Sequence, residues 1–255
     1  MNVLVCIKRV PATGGRIALT AGEQEIDTQF LGFTVSPHEE CAVEEALRLT
    51  EAAGGAGTVL TLGLPAAVEQ LQDAMAQGIG RAVLLETDGR EWDGRATAGA
   101  IVEAVRAEAA DGVAYNLLLF GNEAADTGDY QVGVRVAHAL GLPCVTGIKA
   151  LEISDGMAIA RREGPGGWEV FEIPLPAVLT VKEGINLPRY PSIPGRIRAK
   201  RQPIERSAPA WPGNGLSKVR LRLPPEQEKH AEILGHGVEA APLVVKVLEE
   251  LGLVP

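Results

Sequence analysis

Two stretches of this chain have residue types spaced for holding an anion. The first, Ser36-Pro37-His38-Glu39, has the form of a capping box: Ser at N-cap, Pro at the first helical position and Glu at the third. These residues begin a helix whatever else they do. A helix start also offers unpaired backbone N–H groups and the positive end of the helix dipole. The second stretch runs Gly121-Asn122-Glu123-Ala124-Ala125-Asp126-Thr127-Gly128-Asp129-Tyr130-Gln131-Val132-Gly133, directly after the aliphatic run Leu117–Phe120. Its glycines permit tight backbone, and the N–H groups of a new helix can bind phosphate. It falls at the carboxyl end of a predicted strand, where open α/β sheets hold ligands. Glu123, Asp126 and Asp129 act in the opposite sense, because they can satisfy the helix dipole themselves and repel a phosphate.

No catalytic set accompanies these starts. His38, His138, His230 and His236 are scattered and none sits in an H-E-x-x-H or triad-like context. His138, between Ala137 and Ala139 in a helical pattern, reads as a packing or surface residue. No G-x-G-x-x-G follows the first strand, which runs instead into Lys8-Arg9-Val10-Pro11, and no P-loop is present. Cys6, Cys41 and Cys144 are odd in number and widely spaced, so they read as free thiols in a reducing compartment and form no metal site. A net charge of −9 argues against non-specific nucleic-acid binding. No apolar run reaches the roughly 18 residues of a membrane span, so no membrane insertion is expected. MNVLVCIKRVP enters a strand at once, leaving no room for a signal or transit peptide, and a cytoplasmic location is the expectation.

The elements that must position the two starts are legible as alternating patterns. Short aliphatic runs at Val3–Ile7, Thr58–Leu62, Ala82–Glu86 and Asn116–Phe120 predict strands. Between them, Pro37–Ala52, Ala66–Gln77, Ala96–Ala109 and Tyr130–Leu140 space their apolar residues by three and four, which predicts helices. Strands alternating with helices imply βαβ units with right-handed crossovers. The expected fold is α/β, an open, mostly parallel sheet with helices on both faces. A hairpin insertion is predicted over Ala150–Ile153, Ala158–Glu163 and Trp168–Ile173, after which strand Ala177–Val181 returns to the sheet. Ser207–Gly215 reads as a linker in which Trp211 needs something to pack on. The final helix, near Ala240–Leu251, aligns Leu243, Val244, Val247, Leu248 and Leu251 in one stripe that needs a surface to cover.

The most distinctive segment is Val181–Glu205. Pro188, Pro191, Pro194 and Pro203 remove backbone donors and fix φ, which predicts neither helix nor inner strand. Arg189, Arg196, Arg198, Lys200 and Arg201 surround an aromatic, Tyr190, and an isolated aliphatic, Ile193. In an acidic chain this basic, proline-braced loop suits docking to an acidic protein surface. The motif N-x-P-R-Y-P-S-x-P-G-R-x-R-A-K, read from Asn186 to Lys200, resembles the signature of the electron-transfer flavoprotein β subunit family. Ala42-Val43-Glu44-Glu45-Ala46-Leu47-Arg48-Leu49 is similar to that family's A-V-E-E-A-x-R-L, and the likeness extends from Asn2 to about Glu205.

The resemblance implies an adenine-nucleotide α-hydrolase-like fold and a heterodimer with an α subunit that holds most of the FAD. It implies a structural AMP held by Ile7, Ser36, Glu39, Leu62, Asp126, Thr127, Gly128, Asp129, Gln131, Val132 and Gly133. A second FAD in place of AMP, as in bifurcating members, is the alternative. Those members tend to read D-G-D-T-x-Q-V-G-P where this chain has Asp126-Thr127-Gly128-Asp129-Tyr130-Gln131-Val132-Gly133-Val134, which favours AMP. Arg189, Tyr190, Ile193, Arg196 and Lys200 would dock acyl-CoA or other flavin dehydrogenases, with Ile193 plugging a partner pocket where the family more often has Leu. Electrons would pass on to a quinone-linked oxidoreductase. The implied organisation is a nucleotide-binding domain over 1–185, a recognition loop over 186–205, and an arm over 206–255 that contacts the α subunit. A stand-alone nucleotide-binding regulatory domain is the reading from another class.

Overall fold

The computed structural model describes residues 1–12, 14, 17–225 and 232–254; His230 lies outside them. The chain divides into two compact units, Met1–Arg220 and Leu221–Pro255.

The first unit is built on one sheet whose parallel heart is β1 (Asn2–Cys6), β4 (Ala56–Gly63), β5 (Arg81–Glu86), β6 (Leu117–Gly121) and β10 (Ala177–Val181). A two-residue pair, β2 (Val10–Pro11) and β3 (Phe33–Thr34), stands apart from it. β7 (Cys144–Ser154) lies parallel to β10, and β8 (Met157–Gly164) and β9 (Gly167–Pro174) continue the sheet antiparallel. At the opposite edge β11 (Glu205–Ser207) pairs parallel with β5. The order is β11-β5-β4-β1-β6-β10-β7-β8-β9, nine strands in all, as the alternating pattern predicts for a mostly parallel sheet.

Alternation along each inner strand sorts side chains to two cores. Val3, Val5, Leu117, Leu119 and Leu179 pack under α1 (Pro37–Ala53) and α2 (Val68–Gln77). Leu4, Cys6, Leu118, Phe120 and Val178 pack under α3 (Gly94–Ala110) and α4 (Val132–Leu140) on the other face. Strands covered on both faces carry no polar alternation, which is why they read as unbroken aliphatic runs.

Three differences from the sequence expectation have physical causes. The proline-rich segment contains a helix, α5 (Ile193–Ala199), which the proline count argued against. Pro194 falls in its first turn, where the missing N–H costs nothing, and Ser192 caps it through Gly195 N at 3.1 Å. β7 begins at Cys144, six residues before the predicted Ala150. Gly147, at φ 69°, and a register shift between Ile148 and Ala150 break the alternation that would have revealed it. The predicted linker is tied down as well. Trp211 Nε1 donates to Glu91 O at 3.3 Å, and the Arg90 guanidinium lies 5.2 Å from its ring centroid. Asp93, the N-cap of α3, also accepts from Gly215 N at 2.6 Å and Leu216 N at 3.2 Å. Edge strand β11 is held to β5 by Arg81–Glu205 and Arg206–Glu86 ion pairs.

The second unit holds α6 (Ala241–Glu250), with Leu243, Val244, Val247 and Leu251 all exposed and no residue of the helix buried. Among the described residues no helix is long and apolar enough to cross a membrane. Cys6, Cys41 and Cys144 are all unpaired thiols.

Candidate functional site

The strand order reverses direction between β1 and β6: from β1 the chain builds outward through β4 and β5, then returns to β6 on the other side. At such a switch point the connections leave in opposite directions and open a crevice at the carboxyl ends of the strands. The predicted nucleotide residues gather around this crevice. Ile7 follows β1, its N–H bonded to Leu60 O at 2.9 Å, and Leu62 lies near the end of β4. The start of α1 abuts the end of β6 so closely that a Cβ on Gly121 would stand 2.8 Å from Glu39 Cγ and 3.4 Å from Ser36 Oγ.

The capping box is formed in full: Glu39 N donates to Ser36 Oγ at 3.2 Å, and Ser36 N donates to Glu39 Oε2 at 3.1 Å. Both side chains are buried. Burial pushes the Glu39 carboxyl up to about 7, against the lowering effect of hydrogen bonds from the Ser36 and Lys8 backbone and of the Lys8 charge.

The loop after β6 is closed by its own backbone, with Ala124 N bonded to Asp129 O at 3.0 Å and Gly128 N to Ala124 O at 2.8 Å. Gly128 sits at φ 64°, a conformation that costs a side-chain-bearing residue strain. Asp129 and Gln131 reach the beginning of α3, where a Cβ on Gly94 would lie 2.8 Å from Asp129 Oδ2. Asp126 is drawn to the end of β1 by Lys8, with Nζ–Oδ2 at 2.7 Å. Lys8 borders the crevice and was passed over in the sequence reading, which took Lys8-Arg9-Val10-Pro11 only as the absence of a glycine motif. The available signal was its place immediately past a central parallel strand. Its charge offsets part of the acidic character that opposed phosphate binding.

Val132 and Gly133 open α4. Gly133 is buried where a Cβ would meet Thr180 Cγ2 at 2.9 Å, so the helix start lies tight against β10 and β6. α1, α3 and α5 have side-chain caps, from Ser36, Asp93 and Ser192. α4 has Gln131 at N-cap and no side-chain cap bond; the Gln131 Oε1 instead accepts from Arg135 Nε at 2.6 Å. The first N–H groups of α4 therefore have no side-chain partner at their cap, a condition shared with α2 and α6.

A neighbouring cleft of about 370 Å³ opens at the carboxyl ends of β6 and β10, beside the first residues of β7 and the end of β8, bordered by Asn122, Tyr130, Gly147, Arg162, Glu163 and Lys182. Thr180 ties its floor together by donating to Asn122 Oδ1 at 2.7 Å while accepting from Gly147 N at 2.9 Å. Among the described residues no group of three or more His, Cys, Asp or Glu side chains could hold a metal.

The predicted docking residues do not form one set. Tyr190 and Ile193 are 96 % and 76 % exposed, and Ile197, one helical turn beyond Ile193 on α5, is half exposed. Leu187 is exposed too, and was not singled out from the sequence. Arg196 leans toward Asp73, 3.7 Å away, and Lys200 is exposed at the end of α5. Arg189 faces inward to Glu44 and Glu51 on α1.

The fold defines a doubly wound α/β protein with a crevice at its switch point. Residues 26–211 match the family model described as the electron transfer flavoprotein domain. The chain is 34 % identical to the electron transfer flavoprotein subunit beta of Bacillus subtilis (strain 168), over 97 % of both chains. It is 36 % identical to the subunit beta of Syntrophomonas wolfei, over 88 % of this chain and 86 % of that one. It is 34 % identical to the caffeyl-CoA reductase-Etf complex subunit CarD of Acetobacterium woodii, over 80 % and 77 %. The chain belongs to the electron transfer flavoprotein family, on the side of its β subunits.

Proposed function

We propose that this chain is the nucleotide-holding and dehydrogenase-docking half of a cytoplasmic, heterodimeric electron carrier. Its α partner holds most of the FAD, which supplies the redox chemistry of the pair. Electrons arrive from acyl-CoA or other flavin dehydrogenases and leave to a quinone-linked oxidoreductase. The observation that carries the reading is the separation of two surfaces on one frame: a switch-point crevice bordered by a loop closed by its own backbone, and a segment whose Tyr190 and Ile193 stand largely in water. Large side chains held at such exposure favour a transient partner over a core role.

Ser36, Glu39, Asp126–Gly133 and the side-chain-uncapped start of α4 are the residues that would hold an adenine nucleotide, with Ile7 and Leu62 at the adjoining strand ends. The fit is supported by the free space beside Gly128, where a Cβ would meet nothing within 4 Å, and by the Lys8–Asp126 pair, which removes one unbalanced charge. The cleft between Tyr130 and Lys182 would cover one side of the flavin held by the α subunit. The apolar stripe of α6 would rest on that same subunit, since the second unit buries none of it.

The test is to co-express the chain with its α subunit, purify the heterodimer and count released cofactors. One FAD and one AMP per heterodimer is the expected result. Two FAD and no AMP would make it a bifurcating carrier and overturn the nucleotide assignment.

A further inference from the structure

We propose that Arg189 is a positioning residue of the docking surface, not a contact to the partner, and that with Asn186 it clamps the docking segment onto α1. The proposal rests on the reading of Tyr190–Ile197 as the surface that meets the dehydrogenase. Arg189 makes five bonds to two carboxylates of α1. Its backbone N and Nε reach Glu44 Oε2 at 3.1 and 2.9 Å, and Nη2 reaches Glu44 Oε1 at 3.0 Å. Nη1 and Nη2 reach Glu51 Oε1 and Oε2 at 2.6 and 3.0 Å.

The Glu44 side chain is only 7 % exposed, so turning Arg189 outward to a partner would strand a buried carboxylate. Glu51 and Glu44 hold the guanidinium above its ordinary value, and Arg189 in turn holds Glu51 below its own. Three residues earlier, Asn186 Nδ2 donates to Cys41 O and to Glu45 Oε2, both at 2.9 Å. Upstream again, Glu183 N donates to His38 Nδ1 at 2.8 Å. The segment is thus stitched along one face of α1 from its first turn to its last.

The far end of the segment is fixed independently. Gly195 lies so close to α2 that a Cβ would stand 2.3 Å from Ala76 O, and Ala199 is buried. Tyr190–Ser192 is therefore an arch with both feet seated, and Ile193 and Ile197 project from the second foot at i and i+4 spacing. A surface ordered before encounter loses less freedom on docking than a loop that must first be ordered. That matters for a carrier, whose complexes are brief and whose partner contact is small.

The experiment uses the heterodimer and a purified acyl-CoA dehydrogenase reduced by its acyl-CoA substrate, following reduction of the carrier flavin at increasing carrier concentration. Arg189→Gln should raise the half-saturating carrier concentration by roughly threefold to tenfold, with the limiting rate unchanged. Glu51→Gln, on α1 and outside the docking surface, should shift it in the same direction by a smaller factor. The double variant should add little to Arg189→Gln alone, since the bonds to Glu51 are already lost with the guanidinium. The ionic-strength slope of the half-saturating concentration should stay that of the parent, and amide exchange across Tyr190–Ile193 should quicken in both single variants. A wild-type Glu51→Gln together with a flattened salt slope in Arg189→Gln would overturn the proposal and make Arg189 a direct charge contact. Ile193→Ala separates the two readings: if it leaves half-saturation and rate untouched, the docking surface itself is misassigned and the clamp serves only the fold.

Discussion

Replacing Glu39 with Gln should abolish the pH dependence of stability that this carboxyl brings to the crevice. The carboxyl is 7 % exposed, and burial raises it from 4.5 to about 7. A folded-state value above the unfolded one means that the group's contribution is fully present below about pH 4.5. It is lost as pH rises through 7, because the folded protein must then hold a buried charge. The shift of about 2.5 units corresponds to about 3 kcal/mol lost across that window. Gln keeps the capping box, since its carbonyl oxygen still accepts from Ser36 N, while it removes the titration. The wild type should therefore lose stability relative to Glu39→Gln as the pH goes from 5 to 8, by roughly 6–12 °C in unfolding midpoint for a chain of this size. The assay is the thermal midpoint of both heterodimers across that range, read by flavin release and by circular dichroism. An anion bound in the crevice would raise the carboxyl further, so with AMP added the divergence between wild type and variant should extend to higher pH and become larger. A wild type and variant that run parallel from pH 5 to 8 would refute the reasoning, since a buried, untitrating carboxyl has no such slope.

Other outcomes follow from single contacts. Ile193→Ala should slow electron acceptance from a reduced acyl-CoA dehydrogenase while the heterodimer still elutes intact on size exclusion, because the side chain is 76 % exposed and supports no core. Lys8→Gln removes the 2.7 Å pair with Asp126 and should lower the AMP content of the purified heterodimer with FAD content unchanged; unaltered AMP would separate the loop from the nucleotide. Gly195→Ala places a methyl 2.3 Å from Ala76 O and should cost about 1–3 kcal/mol by denaturant unfolding, with α5 displaced; no loss would mean that the two helices part freely.

Much of the frame was legible because its strands and helices obey the simplest periodicities. Leu117–Phe120 is covered on both faces and reads as an unbroken aliphatic run, and α1 announces itself by Ser36, Pro37 and Glu39 before any coordinate is known. The motif from Asn186 to Lys200 was enough to indicate the family, since its prolines and cations have no role in a generic α/β domain. Local chemistry of that kind lies in neighbouring residues, and neighbours are what a sequence records.

What remained hidden depends on groups far apart in the chain. Arg189 reads as a surface cation until Glu44 and Glu51, about 140 positions earlier, are seen to enclose it. Lys8 reads as a strand's trailing charge until Asp126 meets it across the switch point. α5 was concealed by a proline tally that counts residues rather than places, since Pro194 breaks a helix interior and suits its first turn. β11 fell at the join of the basic segment and the linker, and Trp211 within the linker, because three residues at a sheet edge have no periodicity of their own, and only β5 and the start of α3 give them partners. The sequence by itself determined the alternation, the caps and the family. Tertiary structure alone decided which charges face water and which are held inside, because pairing energy and burial depend on distances through space that no local pattern encodes.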